Sequence, residues 1–365
     1  MNLAELYQWT GRLRGIFEGL GYWQMVGLGL FSYGVLQARA CAPSRVAEHL
    51  GGVGKVASVE RRLERWLANG RIDWKRCCVA WSGFVLRQYV GERLTLLVDE
   101  TKLGGHLSVM VVGLAYRGCC IPLVFWCYQP DAWPMGQVAL IEELLCWLAE
   151  VVPDGVVPLL LADRGLGTSP DLIRVVSALG WQYLFRVQGQ TRFALPDGRS
   201  VALRDLVKPG GQWTQAGHAF KKAGWLPTIA HVLWDSPYAQ AWCLLTNCPD
   251  ITARFYACRY WQEAAFRDLK SDGWQWQASH IFSPDHANLL VLVLSIAYAF
   301  VVSLGTLAFE ERALAQRVFD KHCSTFRNGL RLWQSGLTRL GGPFAHLAQA
   351  AFVLFDSLSI KTVGP

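Results

Sequence analysis

The chain has 365 residues, 52% hydrophobic and 17% charged. That composition supplies a sizeable core and excludes an intrinsically disordered chain, and the length suits one large domain with an insertion or two to three smaller ones. A net charge of +7 suits a polyanionic partner without requiring one.

Residues 1–40 mix apolar and small residues and predict two helices. Residues 1–93 hold 13 Lys/Arg against 7 Asp/Glu, with six cations between Arg61 and Arg76. This basic leader reads either as a nucleic-acid-facing region or as a solvated helical face. Ser44 is expected to cap a short helix. A glycine-containing turn then leads to a second helix around Val59–Leu67 that carries Arg61, Arg62 and Arg65. Helix, turn and basic helix are compatible with helix-turn-helix DNA binding, although many helical domains share the pattern.

The texture changes at "LTLLVDETK", a strand expected to end at Asp99. "HLSVMVVGLAYRG" and "CCIPLVFWCY" follow as strands bounded by turn residues, giving an antiparallel meander. "GQVALIEELLCWLAEVV" predicts a helix and "VPLLLADRG" a buried strand ending at Asp163. "SPDLIRVVSALG" predicts a helix and "WQYLFRV" another strand. The order implies an α/β fold, a mixed sheet with helices on its faces. Residues 188–240 read as a β-rich insertion carrying Trp213, Trp225 and Trp234, after which "AWCLLTN" returns to strand. The expected divisions are a helical region over 1–92, a core over 93–187 and 241–308 interrupted by the insertion, and a helical region over 309–365.

The eleven cysteines show no CxxC spacing, and several lie in apolar runs. They read as reduced core residues of a cytoplasmic protein, with no zinc site. The N-terminus lacks the pattern of a signal peptide. The uncharged stretch Asn288–Ala308 is long enough to span a bilayer, but its flanks favour a helix buried in a large core. "GVGK" at Gly52–Lys55 lacks the full phosphate-loop pattern, so nucleotide hydrolysis has no support.

Carboxylates at strand ends can converge at one sheet edge, and a buried one is costly unless it is paired or holds a metal. The alternative for each aspartate is a cap on the next element. The segment "RFYACRYWQEAAFRDLK" predicts one α-helix, on which Tyr256, Arg259, Glu263 and Lys270 fall within an arc of about 60°. A solvated ion-pair ladder would account for the charges but not for the tyrosine. Two aspartates and a glutamate supply hard oxygen ligands for Mg²⁺, which suits in-line phosphoryl transfer.

Tyr256, Arg259, Glu263 and Lys270 follow the spacing Tyr-x2-Arg-x3-Glu-x6-Lys. This resembles the Tyr-Arg-Glu-Lys (YREK) signature of one large group of bacterial DDE transposases, the cut-and-paste insertion-sequence enzymes. "VDET" at Asp99 and "LADRG" at Asp163 resemble the two aspartate motifs of that family, and the insertion falls where the family has one. The resemblance covers roughly residues 90–300. It implies an RNase H-like core in which Asp99, Asp163 and Glu263 bind two Mg²⁺ ions, for which Mn²⁺ can substitute. Tyr256, Arg259 and Lys270 would contact DNA phosphates, and Trp234 is the candidate for holding a flipped base during a hairpin step. A homodimer would act on double-stranded DNA, pairing terminal inverted repeats and joining them to a target, with no membrane involved. Glu100 departs from many relatives, but alternation along the strand puts it on the face opposite Asp99. A nuclease of the same fold without strand transfer, or a non-catalytic DNA-binding relative, are the alternatives.

Overall fold

The computed structural model describes residues 3–87, 93–235, 238–311, 320, 322–343 and 345–348. The boundary expected at residue 92 and part of the expected C-terminal region lie outside them. The N-terminal region folds as α1 (Leu3–Arg14), α2 (Tyr22–Ala38), α3 (Pro43–His49), α4 (Val56–Leu67) and α5 (Trp74–Leu86). Ser44 does not cap α3. Pro43 opens that helix after Ala42, because a ring-fixed φ and a missing N–H suit the first position. In α4, Val59, Leu63, Trp66 and Leu67 face inward, and Arg61, Arg62 and Arg65 are exposed on the other side. The Trp66 indole N–H donates to the Gln24 carbonyl at 2.8 Å, which ties α4 to the start of α2.

The apolar runs after residue 93 form one ten-stranded mixed sheet. Its meander is β1 (Thr95–Leu103), β2 (Leu107–Tyr116) and β3 (Cys119–Tyr128), antiparallel throughout. The short strands β4 (Leu159–Ala162) and β5 (Gln182–Arg186) lie parallel to β1. Helix α6 (Gln137–Ala149) precedes β4, and the single turn α7 (Arg164–Gly167) and α8 (Pro170–Ala178), capped by Ser169, run between β4 and β5. All four residues of β4 are buried, as expected of a strand covered on both faces. Within residues 188–240 lie β6 (Arg192–Ala194), β7 (Ser200–Ala202), β8 (Gln212–Ala219) and β9 (Leu226–Leu233). They continue the same sheet, since β9 pairs with β10 (Trp242–Thr246), and β10 pairs with β5.

Two further helices complete the core. The segment with the charged spacing carries α9 (Tyr260–Arg267), and α10 (Pro284–Glu310) follows. The stretch of α10 apolar enough to cross a membrane is entirely buried between β3, α2 and α11 (Thr325–Gln334). Two polar contacts tie it to the sheet: the Asn288 side-chain oxygen accepts from the Cys127 N–H at 2.9 Å, and the Thr306 hydroxyl donates to the Tyr116 hydroxyl at 3.3 Å. At the seam with α5, the Lys75 ammonium lies 4.1 Å from the Trp126 ring centre and is flanked by Trp74 and Trp147. All eleven cysteines are free, and nine are buried.

Candidate active site

The register of the parallel pair β1–β4 builds the first half of the site. Val98 pairs with Ala162, so the next residues, Asp99 and Asp163, stand side by side where β4 stops. β1 does not end at Asp99, contrary to the sequence expectation. Its antiparallel pairing with β2 carries it on to Leu103. Asp99 therefore lies inside a strand but at the end of the parallel ladder. The Asp163 Oδ1 accepts from the Leu166 N–H at 3.0 Å and caps α7. The Asp99 Oδ1 accepts from the Glu100 N–H at 2.9 Å. Each aspartate thus spends one oxygen on the backbone and turns the other inward. Glu100 lies beside the Tyr128 phenol, whose pKa is raised by burial and by that carboxylate.

The other half comes from the segment around α9, which is not one α-helix. Ala253–Arg259 is a 3₁₀ helix, Tyr260–Arg267 is α-helical and Asp268–Asp272 is a π turn. In a 3₁₀ helix residues three apart eclipse, so Tyr256 sits directly over Arg259. From Arg259 to Glu263 is one α turn, and the Arg259 Nη1 donates to the Glu263 Oε1 at 2.7 Å. The π turn closes on Gly273, whose N–H donates to the Asp268 carbonyl at 2.8 Å. A Cβ at Gly273 would meet that carbonyl at 2.5 Å and the Phe326 ring at 2.7 Å, so only glycine fits. Lys270 rides on this turn. Gln262, buried within α9, donates to the Val111 carbonyl at 3.1 Å beside the irregular pairing at Val112/Gly113, and so seats the helix on the sheet.

Arg259 is the hub. Its Nη2 donates to the Asp99 Oδ2 at 2.8 Å and stands 3.7 Å from the Asp163 Oδ2, while Nη1 holds Glu263. The guanidinium is only 7% exposed, against 14% for the Asp99 side chain, 36% for Asp163 and 55% for Glu263. Burial pushes the Asp99 carboxyl up to about 7, with Asp163 and Glu263 adding to the rise and Arg259 opposing it. Burial alone would lower Arg259, but Asp99, Tyr256, Asp163 and Glu263 hold it above its ordinary value. The Tyr256 phenol is raised, mainly by burial. Lys270 is lowered by burial, an effect opposed by the charge of Asp99.

Asp99, Asp163, Tyr256 and Glu263 thus gather around Arg259, and Lys270 lies near enough to Asp99 to feel its charge. Arg61, Arg62 and Arg65 do not join this cluster: they stand on α4, which packs on α2, α3 and α10. Trp234 is half-buried at a cleft of about 580 Å³ that Arg164, Arg186, Gln188, Arg204 and Gln240 also line. Its indole N–H donates to the Tyr238 carbonyl at 2.8 Å. The sequence reading missed Gln262, Arg186 and the hub role of Arg259. An uncharged amide set between Trp261 and Glu263, ahead of Ala264, Ala265 and Phe266, was the available sign for Gln262.

As the side chains lie, no three His, Cys, Asp or Glu groups among the described residues are arranged to hold a metal. The donor chemistry nevertheless fits a divalent cation: three acidic side chains share one guanidinium, and burial, with the neighbouring acids, raises the Asp99 carboxyl despite Arg259. More positive charge is what the cluster lacks.

A search of curated proteins finds no match for this chain. Residues 137–300, a little under half of its length, match the family model described as the transposase DDE domain. That span contains Asp163, Trp234 and the whole Tyr256–Lys270 segment, while Asp99 lies before it. The match supports a DDE transposase, an enzyme class that cleaves DNA with divalent metal.

Proposed function

We propose that the protein is the transposase of an insertion sequence, of the YREK cut-and-paste group. It would bind the terminal inverted repeats of its element as a homodimer in the cytoplasm, cleave the ends, and join the 3′ ends to target DNA. The observation that carries this reading is the convergence of Asp99, Asp163 and Glu263 on one buried guanidinium, in a chain whose residues 137–300 match a transposase domain.

Asp99, Asp163 and Glu263 would hold two Mg²⁺ ions, for which Mn²⁺ can substitute. When bound, such ions activate the attacking water or 3′-hydroxyl and stabilise the leaving oxygen in in-line transfer. The chain's own residues do the rest. Arg259, Lys270 and Tyr256 grip the phosphates that flank the scissile bond. The sheet holds Asp99, and the Gln262 anchor seats on that sheet the helix that carries Glu263. Trp234, at the arginine-lined cleft, offers an aromatic shelf for a base extruded during a hairpin step. The outer face of α4, with Arg61, Arg62 and Arg65, would track the duplex backbone.

The test is Glu263→Gln on end-bearing DNA. Mg²⁺-dependent cleavage should vanish while end binding persists; retained cleavage sinks the reading. Precut ends supplied with a target plasmid should be joined by the wild type. Cleavage without joining would make the protein a nuclease instead.

A further inference from the structure

We propose that Arg259 is the resident counter-cation of the acidic centre, and that it must release Asp99 and Glu263 before these can ligate a divalent metal. The proposal rests on the metal-dependent reading above and adds a step to it: metal loading is an exchange of one cation for another.

Four observations carry it. A single guanidinium touches all three acids, Asp99 and Asp163 through Nη2 and Glu263 through Nη1. The outward oxygens of both aspartates are already engaged by the backbone N–H groups of Glu100 and Leu166, so the oxygens left for a metal are those that face Arg259. With Arg259 in place, no three acidic side chains among the described residues are arranged to chelate. Finally, the buried Nε of Arg259 has no hydrogen-bond partner among the described residues. Only the terminal nitrogens are held, and the carboxylates are what hold them. Withdrawing the guanidinium therefore breaks these ion pairs and no Nε hydrogen bond.

A guanidinium and a dication crowded on the same oxygens repel each other strongly in a site this dry. Once displaced, Arg259 presents a planar fork suited to two oxygens of a phosphodiester. Exchange at the carboxylates thus frees the side chain that grips the DNA backbone. By reciprocity, a bound backbone that draws Arg259 away would tighten metal binding by the same factor. Arg259 would keep the charges of the centre compensated until both partners are present.

The experiment titrates Mn²⁺ into the full chain without DNA and follows the free ion by electron paramagnetic resonance. Arg259→Gln should bind Mn²⁺ roughly tenfold or more tightly than the wild type, as removal of a close positive charge requires. Asp163→Asn serves as the control that locates the ion. Equal or weaker binding by folded Arg259→Gln overturns the proposal. A second measurement needs only the wild type: in ¹⁵N-arginine-labelled protein, the Arg259 Nε–H signal, assigned through its absence in Arg259→Lys, should move when Mg²⁺ saturates the site. An unmoved signal with Mg²⁺ bound overturns the exchange while leaving the metal reading intact. Absence of Mn²⁺ binding in every form overturns both.

Discussion

Arg259 and the three arginines of α4 carry the same guanidinium into opposite surroundings. Arg259 is nearly sealed from solvent, is held by three carboxylates, and sits where two strands and a helix segment meet. Arg61, Arg62 and Arg65 project from the outer side of an amphipathic helix, where among the described residues their only side-chain hydrogen bond runs from the Arg65 Nε–H to the Arg61 carbonyl. The buried arginine has its geometry fixed before any ligand arrives, and losing it strands buried charge. The exposed ones contribute almost nothing to folding and act through long-range, salt-screened attraction. Equal charge therefore implies unequal roles, and burial sets the difference.

The sharpest way to break this contrast is Arg259→Ala. Leaving Asp99 buried without its cation should cost about 3–5 kcal/mol in denaturant unfolding; a loss as small as that of an α4 arginine would erase the distinction. Next in size is a pH effect at Asp268, whose carboxyl is buried near the Tyr298 hydroxyl. Burial pushes it up to about 7 from an ordinary 3.8; Asp272 adds to the rise and Arg327 opposes it. The unfolded chain releases this proton first, so the stabilisation is complete below about pH 3.8 and is lost as pH rises through 7. Asp268→Asn should flatten that decline in unfolding midpoints measured across this range. Glu263→Gln probes the exposed member of the cluster. Its stability should change by less than about 1 kcal/mol, because half-exposed ion pairs are screened, even as cleavage is lost. Smallest of all, Arg61→Ala, Arg62→Ala and Arg65→Ala should each shift stability by within about 0.5 kcal/mol. Together they should lower the salt dependence of DNA affinity by about one unit of slope per lost phosphate contact. An unchanged slope would remove α4 from the DNA path.

Much of the core was legible because strands and helices advertise their periodicity. "LTLLVDETK", "VPLLLADRG" and "WQYLFRV" became β1, β4 and β5, and the apolar stretch at Asn288–Ala308 became the buried α10. The misplaced features depend on partners distant in sequence. β1 outruns Asp99 because β2 keeps pairing with it, and that length is invisible in the local run. The segment around Glu263 changes pitch twice because Gly273 must nestle against Phe326 and because Asp268 and Leu269 must bury themselves. A uniform 100° per residue cannot anticipate this.

The sequence by itself determined which side chains are available: two aspartates after apolar runs, a glutamate on a charged segment, and a tyrosine, arginine and lysine at fixed spacing from it. Residue identity and short-range periodicity are local properties, and so is the basic outer face of α4. Only the tertiary structure decided that Asp99 and Asp163 stand in adjacent register and that Arg259, rather than any carboxylate, occupies the centre between them. Those outcomes depend on how far each strand pairs, and on which charges lie deep enough that leaving them unpartnered would be too costly.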